Sequence, residues 1–151
     1  MKGLSLQDSA FLSSTITRSL IPIMTDYTTP SGIASASSFN STIGSYAWRP
    51  FDNNSVTLWT PGVGTSGEWL QYQFARAVFV NASSVLFSIA PTSYILYGSN
   101  NGSTFTQLDS ESYPSGGSGN NIFVNTTCYS YYRWTFSTTS NVVFTAQLYG
   151  Y

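Results

Sequence analysis

The feature that most constrains the fold is a set of short segments in which apolar and polar residues alternate. In the clearest segment Leu70, Tyr72 and Phe74 stand at every second position, and the same period recurs in 133–136 and 143–148. A period of two places alternate side chains on opposite faces of a β-strand. Because turn-forming residues separate these runs, the pattern is typical of a sandwich of antiparallel sheets. We predict an all-β fold with strands at 34–38, 68–74, 77–80, 85–89, 94–98, 104–108, 121–125, 131–136 and 143–149.

The composition agrees with one β-rich domain whose surface carries hydroxyl and amide groups instead of charge. Of 151 residues, 42% are hydrophobic and only 7% are charged, against about a quarter charged in an ordinary globular protein. Five basic residues and a net charge of −1 argue against nucleic-acid binding. No apolar run is long enough for a membrane-spanning helix, so we predict no membrane insertion. A net charge near zero favours a protein held in an oligomer or larger assembly.

The residues available for chemistry are few. Histidine is absent, which removes the commonest general base and the usual catalytic triads. Asp109 and Glu111 form the closest acidic pair, and beside a Gly/Ser-rich loop we expect them to be solvated charges, not a glycosidase pair. We therefore predict that the protein is not an enzyme. Cys128 is the only cysteine, which excludes an intrachain disulfide, and its apolar neighbourhood predicts an unreactive core residue.

Residues 1–21 differ from the rest of the chain. Apolar residues recur there among Ser and Thr, Pro22 ends the segment, and Gln7 and Asp8 interrupt the apolar core that a signal peptide would need. One interpretation is a strand, short helix or arm that lies on the sandwich. The other is an attachment segment that docks onto a neighbouring subunit, since an apolar stripe must be covered. We divide the chain into this N-terminal arm, 1–21, and a β-sandwich, 22–151.

The most specific motif lies between Trp48 and the strand that begins near Glu68. Its key residues stand at the spacings of the signature of the discoidin domains, also called coagulation factor V/VIII C-type or galactose-binding-like domains: Asp52, Asn54, Thr57, Trp59, Trp69 and Gln71. The segments 94–108, 129–134 and 147–150 resemble later strands of that family. The resemblance therefore extends over nearly the whole chain. It implies a jelly-roll β-sandwich that acts as a binding module, without specifying the ligand.

The same resemblance implies a structural calcium site. In the family the ion often lies on the loop that corresponds here to Asp52, Asn54 and Thr57, whose oxygens suit a hard cation. The glutamate that the family has near its C-terminus is replaced by Thr145, which leaves a single carboxylate. The alternative is a turn closed by side-chain hydrogen bonds, and we expect no cofactor to be required.

Aromatic residues beside polar ones indicate a carbohydrate site. An aromatic ring stacks on the C–H face of a hexose while Arg and amide groups bind its hydroxyls. Tyr46, Trp48 and Arg49 precede the signature loop, and Tyr113 follows a later strand; these four are the predicted carbohydrate-binding residues. Ile89 stands where the resemblance would place the family's sugar-binding Arg. The remaining tryptophans are assigned to the core by their strand positions: Trp59, Trp69 and Trp134.

These features favour a non-catalytic surface module of a phage virion, assembled in the cytoplasm and displayed on the particle. Two functions stay open within that interpretation. One is binding of host-surface or mucus carbohydrate. The other is structural decoration, in which the arm and a sheet edge bind other virion proteins of the capsid or tail. A third alternative is an extracellular bacterial carbohydrate-binding module.

Overall fold

The chain folds into short antiparallel strands joined by irregular connections. The structure is a computed structural model that describes residues 18–112, 118–137 and 141–150. Within these ranges the two helices are single 3-10 turns, η1 (Ser41–Ile43) and η2 (Arg49–Phe51), and no helix is long and apolar enough to cross a membrane. The strands are β1 (Ile33–Ala36), β2 (Trp69–Phe79), β3 (Ala82–Ile89), β4 (Ser93–Ser99), β5 (Thr106–Ser112), β6 (Ser118–Ile122), β7 (Cys128–Phe136) and β8 (Val142–Tyr149).

The strands form two sheets that pack face to face. One sheet has the order β1-β2-β7-β4-β5 and the other has the order β6-β3-β8, with every pair antiparallel. The predicted all-β jelly-roll sandwich is confirmed. The predicted strands 68–74 and 77–80 are a single strand, β2, because an irregularity between Gln73 and Val78 shifts its register against β7 without ending it.

The Asn-Asn-Gly motif at 100–102 predicts a tight hairpin turn, and the Gly/Ser-rich run 115–119 predicts a flexible loop. The structure differs from both predictions. The tight turn expected at 100–102 is a longer loop, 100–105, between β4 and β5. The side-chain oxygen of Asn101 accepts hydrogen bonds from the backbone N–H groups of Ser103 at 2.9 Å and Thr104 at 2.8 Å. These two bonds close the loop. The flexible loop expected at 115–119 overlaps β6, which begins at Ser118.

The core between the sheets is built largely from aromatic side chains. Trp59 and Trp134 are 0% exposed, as predicted. The assignment of Trp69 to the core is wrong, because its alternation with the buried Leu70 puts it on the outer face of the five-stranded sheet, where it is half-buried. The expectation of a buried Cys128 is also wrong. Its side chain is exposed, since β7 begins there at the edge of the core.

The edge strand β8 is covered by two other segments of the chain. The backbone of Trp59 exchanges hydrogen bonds of 2.8 and 2.9 Å with Val143. Further along β8, the N–H of Leu20 donates to the carbonyl of Leu148 at 2.8 Å, and Ile21 joins the core. The last residues of the predicted arm therefore lie on the sandwich, while 1–17 lie outside the described residues. The division at residue 21 stays a prediction.

Candidate functional site

The long connection between β1 and β2 carries most of the predicted site residues, and η2 fixes their position. Pro50 lies in the first turn of η2, where its fixed φ suits a helical start. Phe51 is 1% exposed and packs edge-to-face on Tyr72, with ring centroids 5.5 Å apart. This anchor in the core holds Trp48 and Arg49 at the surface end of the same turn.

Trp48 and Arg49 form one stacked unit. The guanidinium carbon of Arg49 lies 4.1 Å from the centroid of the Trp48 ring, and its Nη1 lies 3.7 Å from Oδ2 of Asp52. Trp48 is partly buried and packs against the core. The ring lies against the Arg49 guanidinium and packs against the core, so it offers less free surface for stacking than the sequence predicts. Both residues stay partly exposed, and the Arg49 side chain is 31% exposed.

Tyr46 belongs to a surface cluster of three aromatic rings. Its ring centroid lies 5.8 Å from that of Phe39 and 6.3 Å from that of Tyr27, and the Tyr27 and Phe39 centroids are 6.4 Å apart. Phe39 is 39% exposed. Sequence reasoning identified Tyr46 but missed Tyr27 and Phe39, since they lie on separate irregular segments that no local pattern connects. We call these three residues the aromatic cluster.

An open groove runs beside Arg49. Its volume is about 240 Å³, and its walls come from η1, η2 and the signature loop: Ile43, Gly44, Arg49, Val56, Thr57 and Leu58. Gly44 has a φ of 67° and ends η1, and Tyr46 follows it two residues later. The groove therefore joins a fixed guanidinium, a hydroxyl and aliphatic side chains next to the segment that carries the aromatic cluster.

The signature loop is closed by its own side chains. Oδ1 of Asp52 accepts from the N–H of Asn54 at 2.9 Å, and Oδ2 accepts from the hydroxyl of Thr57 at 2.7 Å. The side-chain oxygen of Asn54 accepts from the N–H of Val56 at 3.0 Å. Asn53 supplies the left-handed backbone that the turn needs, with φ 55°.

The side-chain oxygens of this loop are poorly suited to bind a calcium ion. The structure brings Asp52, Asn54 and Thr57 together, but both carboxylate oxygens already accept hydrogen bonds, and Arg49 supplies positive charge beside one of them. In the described part of the chain no three acidic, Cys or His side chains gather as a metal cluster. The arrangement corresponds to the turn closed by side-chain hydrogen bonds. Whether calcium is dispensable stays a prediction.

Comparison with known proteins gives matches at the level of structure. No protein-family model and no curated protein matches the sequence. Chitosan-binding module 1 of a chitosanase/glucanase from Paenibacillus sp. IK-5 has a TM-score of 0.73 at 20% identity, over 88% of this chain and 99% of that module. Chitosan-binding module 2 of the same enzyme, in complex with chitotriose, has a TM-score of 0.69 at 21% identity, over 79% and 96%.

A third module adds a different ligand to this set. CpGH89CBM32-5 from Clostridium perfringens, in complex with GalNAc-β-1,3-galactose, has a TM-score of 0.70 at 17% identity, over 79% of this chain and 95% of that one. The chain has the discoidin, or galactose-binding-like, fold. The resemblance found in the sequence is thereby confirmed for the architecture.

Ile89, which stands where the resemblance would place a sugar-binding Arg, does not line the groove. Ile89 is 53% exposed at the end of β3. Tyr113 lies outside the described residues. The structure thus unites Trp48 and Arg49, places Tyr46 in the aromatic cluster nearby in the chain, and gives no position for Tyr113.

The acidic pair of Asp109 and Glu111 is less exposed to solvent than the sequence predicts. Asp109 and Glu111 are half-buried on the edge strand β5, in register with the buried Leu96 and Tyr94. Burial, and then the neighbouring charge of Asp109, raise the pKa of Glu111 above its ordinary value. The two carboxyl groups are therefore not fully solvated charges, and neither lines the groove beside Arg49.

Proposed function

We propose that this protein is a non-catalytic carbohydrate-binding module whose ligand contacts the groove beside Arg49. The observation that carries the proposal is the fixed position of the Arg49 guanidinium, held between Trp48 and Asp52 on the groove wall. A guanidinium held in place loses less entropy on binding, and its N–H groups donate paired hydrogen bonds to vicinal sugar hydroxyls.

The aromatic cluster would supply the stacking surface that Trp48 does not. Phe39 is exposed and Tyr46 is partly buried, and the accessible parts of their rings would contact the C–H face of a sugar. Trp48 then acts as a positioning residue, because its ring supports the guanidinium. Two structural neighbours hold carbohydrate, chitotriose in one and GalNAc-β-1,3-galactose in the other, which supports a neutral or amino-sugar oligosaccharide as the ligand of this groove.

We further propose that the module is displayed on a phage virion, with 1–21 as its attachment segment to other virion proteins and with oligomeric assembly. The charge content of 7% and the apolar residues of that segment support this proposal. The alternative is an extracellular module of a bacterial protein.

Structural decoration without a glycan ligand is the second candidate function. Two exposed apolar residues favour it as a protein-binding surface: Ile122 at the end of the edge strand β6, and Val124 just beyond it.

A glycan array probed with the purified protein, together with its mass in solution, tests these proposals. We expect binding to at least one class of oligosaccharide and a mass above that of one chain. Absence of binding across the array, combined with an oligomeric mass, would favour structural decoration and contradict the carbohydrate proposal.

A further inference from the structure

The outer face of the five-stranded sheet carries a second fixed arginine. The guanidinium carbon of Arg133, on β7, lies 4.0 Å from the centroid of the Trp69 ring and 4.1 Å from that of Phe105. Its Nε donates a 2.9 Å hydrogen bond to the side-chain oxygen of Gln71. Two rings therefore cover its flat faces and an amide binds the Nε edge. The edge that carries the two terminal NH₂ groups has no hydrogen-bond partner among the described residues.

The charge of Arg133 has no acidic partner in the described part of the chain. The ion pair found there joins Arg49 to Asp52, and no described carboxylate lies within ion-pair distance of Arg133. Its terminal NH₂ groups donate to none of the described residues. Burial lowers the pKa of Arg133, as expected for a cation that has lost water without gaining an anion. An anion with two oxygens in one plane would complete this environment.

The side chains next to Arg133 carry phenol and amide groups, which form hydrogen bonds with hydroxyl groups. Tyr97 lies directly opposite it on β4, and Gln107 lies opposite Tyr97 on β5, so one row of polar and aromatic groups crosses the sheet. Gln73 lies two residues beyond Gln71 on the same outward face of β2. Phenol and amide groups beside a planar cation suit a ligand that combines a carboxylate with many hydroxyls, which favours an acidic sugar over an acidic peptide.

We propose that this sheet face, centred on Arg133, binds the carboxylate of a uronic-acid residue in an acidic polysaccharide. The terminal N–H groups of Arg133 donate to the two carboxylate oxygens, while Tyr97 and Gln107 contact hydroxyls of the same polysaccharide. This site is separate from the groove beside Arg49, and it rests on the proposed function only in that both sites take carbohydrate.

The wild-type protein gives a test that needs no variant. Polygalacturonate fragments are titrated into ¹⁵N-labelled protein, and carboxyl-reduced fragments of the same length are the control. Of the four tryptophans, the indole signal of Trp69 should shift with the acidic ligand and not with the reduced one, while the signals of the buried Trp59 and Trp134 stay unchanged. A shift of Trp48 alone, or equal shifts with both ligands, would overturn the proposal.

Variants then locate the contact. Arg133→Lys keeps the charge but loses the fork, and we expect it to weaken binding of polygalacturonate by about tenfold. Arg76→Lys, an exposed arginine on β2, is the matched control and should have no effect. Equal affinity of the wild type and Arg133→Lys would contradict the proposal. Preferential binding of poly-glutamate over polygalacturonate would assign the face to a peptide instead.

The two proposals fail separately. A protein that binds neutral oligosaccharides through Arg49 but ignores polygalacturonate retains the proposed function and loses this inference. A protein that binds polygalacturonate through Arg133, but no carbohydrate through Arg49, would contradict the proposed groove and support the site on the sheet face.

Discussion

Arg49 stacks on the ring of Trp48, with its guanidinium carbon 4.1 Å from the ring centroid. This contact changes the role expected for the tryptophan. A platform for sugar needs a free face, whereas Trp48 is in contact with the core and with Arg49. We therefore expect Arg49 and the aromatic cluster to contact the ligand.

Trp48→Ala should therefore affect both binding and stability. Loss of a partly buried ring that packs on the core should lower the free energy of unfolding by about 1–3 kcal/mol, in addition to weakening glycan binding. Chemical denaturation at pH 7 measures this change. An unfolding free energy equal to that of the wild type would contradict the packing of this ring against the core.

Glu68 should stabilise the β1–β2 connection at neutral pH. It is 4% exposed, and hydroxyl groups of Ser37, Ser38 and Thr65 donate to its carboxylate. Burial acts to raise the pKa of Glu68, but these hydrogen bonds outweigh it and the pKa is lowered. A lowered folded pKa means that the stabilisation is present above the unfolded value of 4.5 and is lost as the pH falls through the folded value.

Glu68→Gln should accordingly cost about 1–3 kcal/mol at pH 7, and the difference from the wild type should shrink below pH 4. Denaturation curves of both proteins across that range measure it. A difference that grows on acidification would contradict this assignment of the sign.

Glu111 should have the opposite effect on stability. Its pKa is raised, first by burial and then by Asp109, so its ionised form costs stability above the folded pKa and the cost disappears as the group is protonated. Glu111→Gln should raise the unfolding free energy at pH 7 by less than about 1 kcal/mol, since solvent screens part of the repulsion. At pH 4 the two proteins should be nearly equal. A less stable variant at pH 7 would show that Glu111 has a favourable partner.

Calcium should not change the melting temperature. The two carboxylate oxygens of Asp52 already accept hydrogen bonds within the loop, and a single carboxylate gives little of the charge that tight calcium sites use. Thermal unfolding with a chelator should match unfolding with millimolar calcium. A large upward shift with calcium would mean that backbone carbonyls complete a shell around the ion.

The sequence predicted the strands because a period of two is a local property. Leu70 and Tyr72 alternate with their neighbours, and that is enough to place a strand with one buried face. The same alternation places Trp69 on the outer face, and it outweighs the general preference of tryptophan for the core. The surface sites could be predicted only in part, since Tyr27, Phe39 and Tyr46 meet through irregular segments, and Phe105 reaches Arg133 only because the loop 100–105 folds over the sheet.

The central claim is that Arg49 holds a carbohydrate in its groove. It is tested most directly by titration calorimetry of the oligosaccharide that binds best on the array, with the wild type, Arg49→Ala and Arg76→Ala. Loss of a charged hydrogen-bond donor should weaken binding by tenfold or more for Arg49→Ala, while Arg76→Ala, which removes an exposed arginine away from the groove, should bind as the wild type does. Equal affinities for all three proteins would contradict the account.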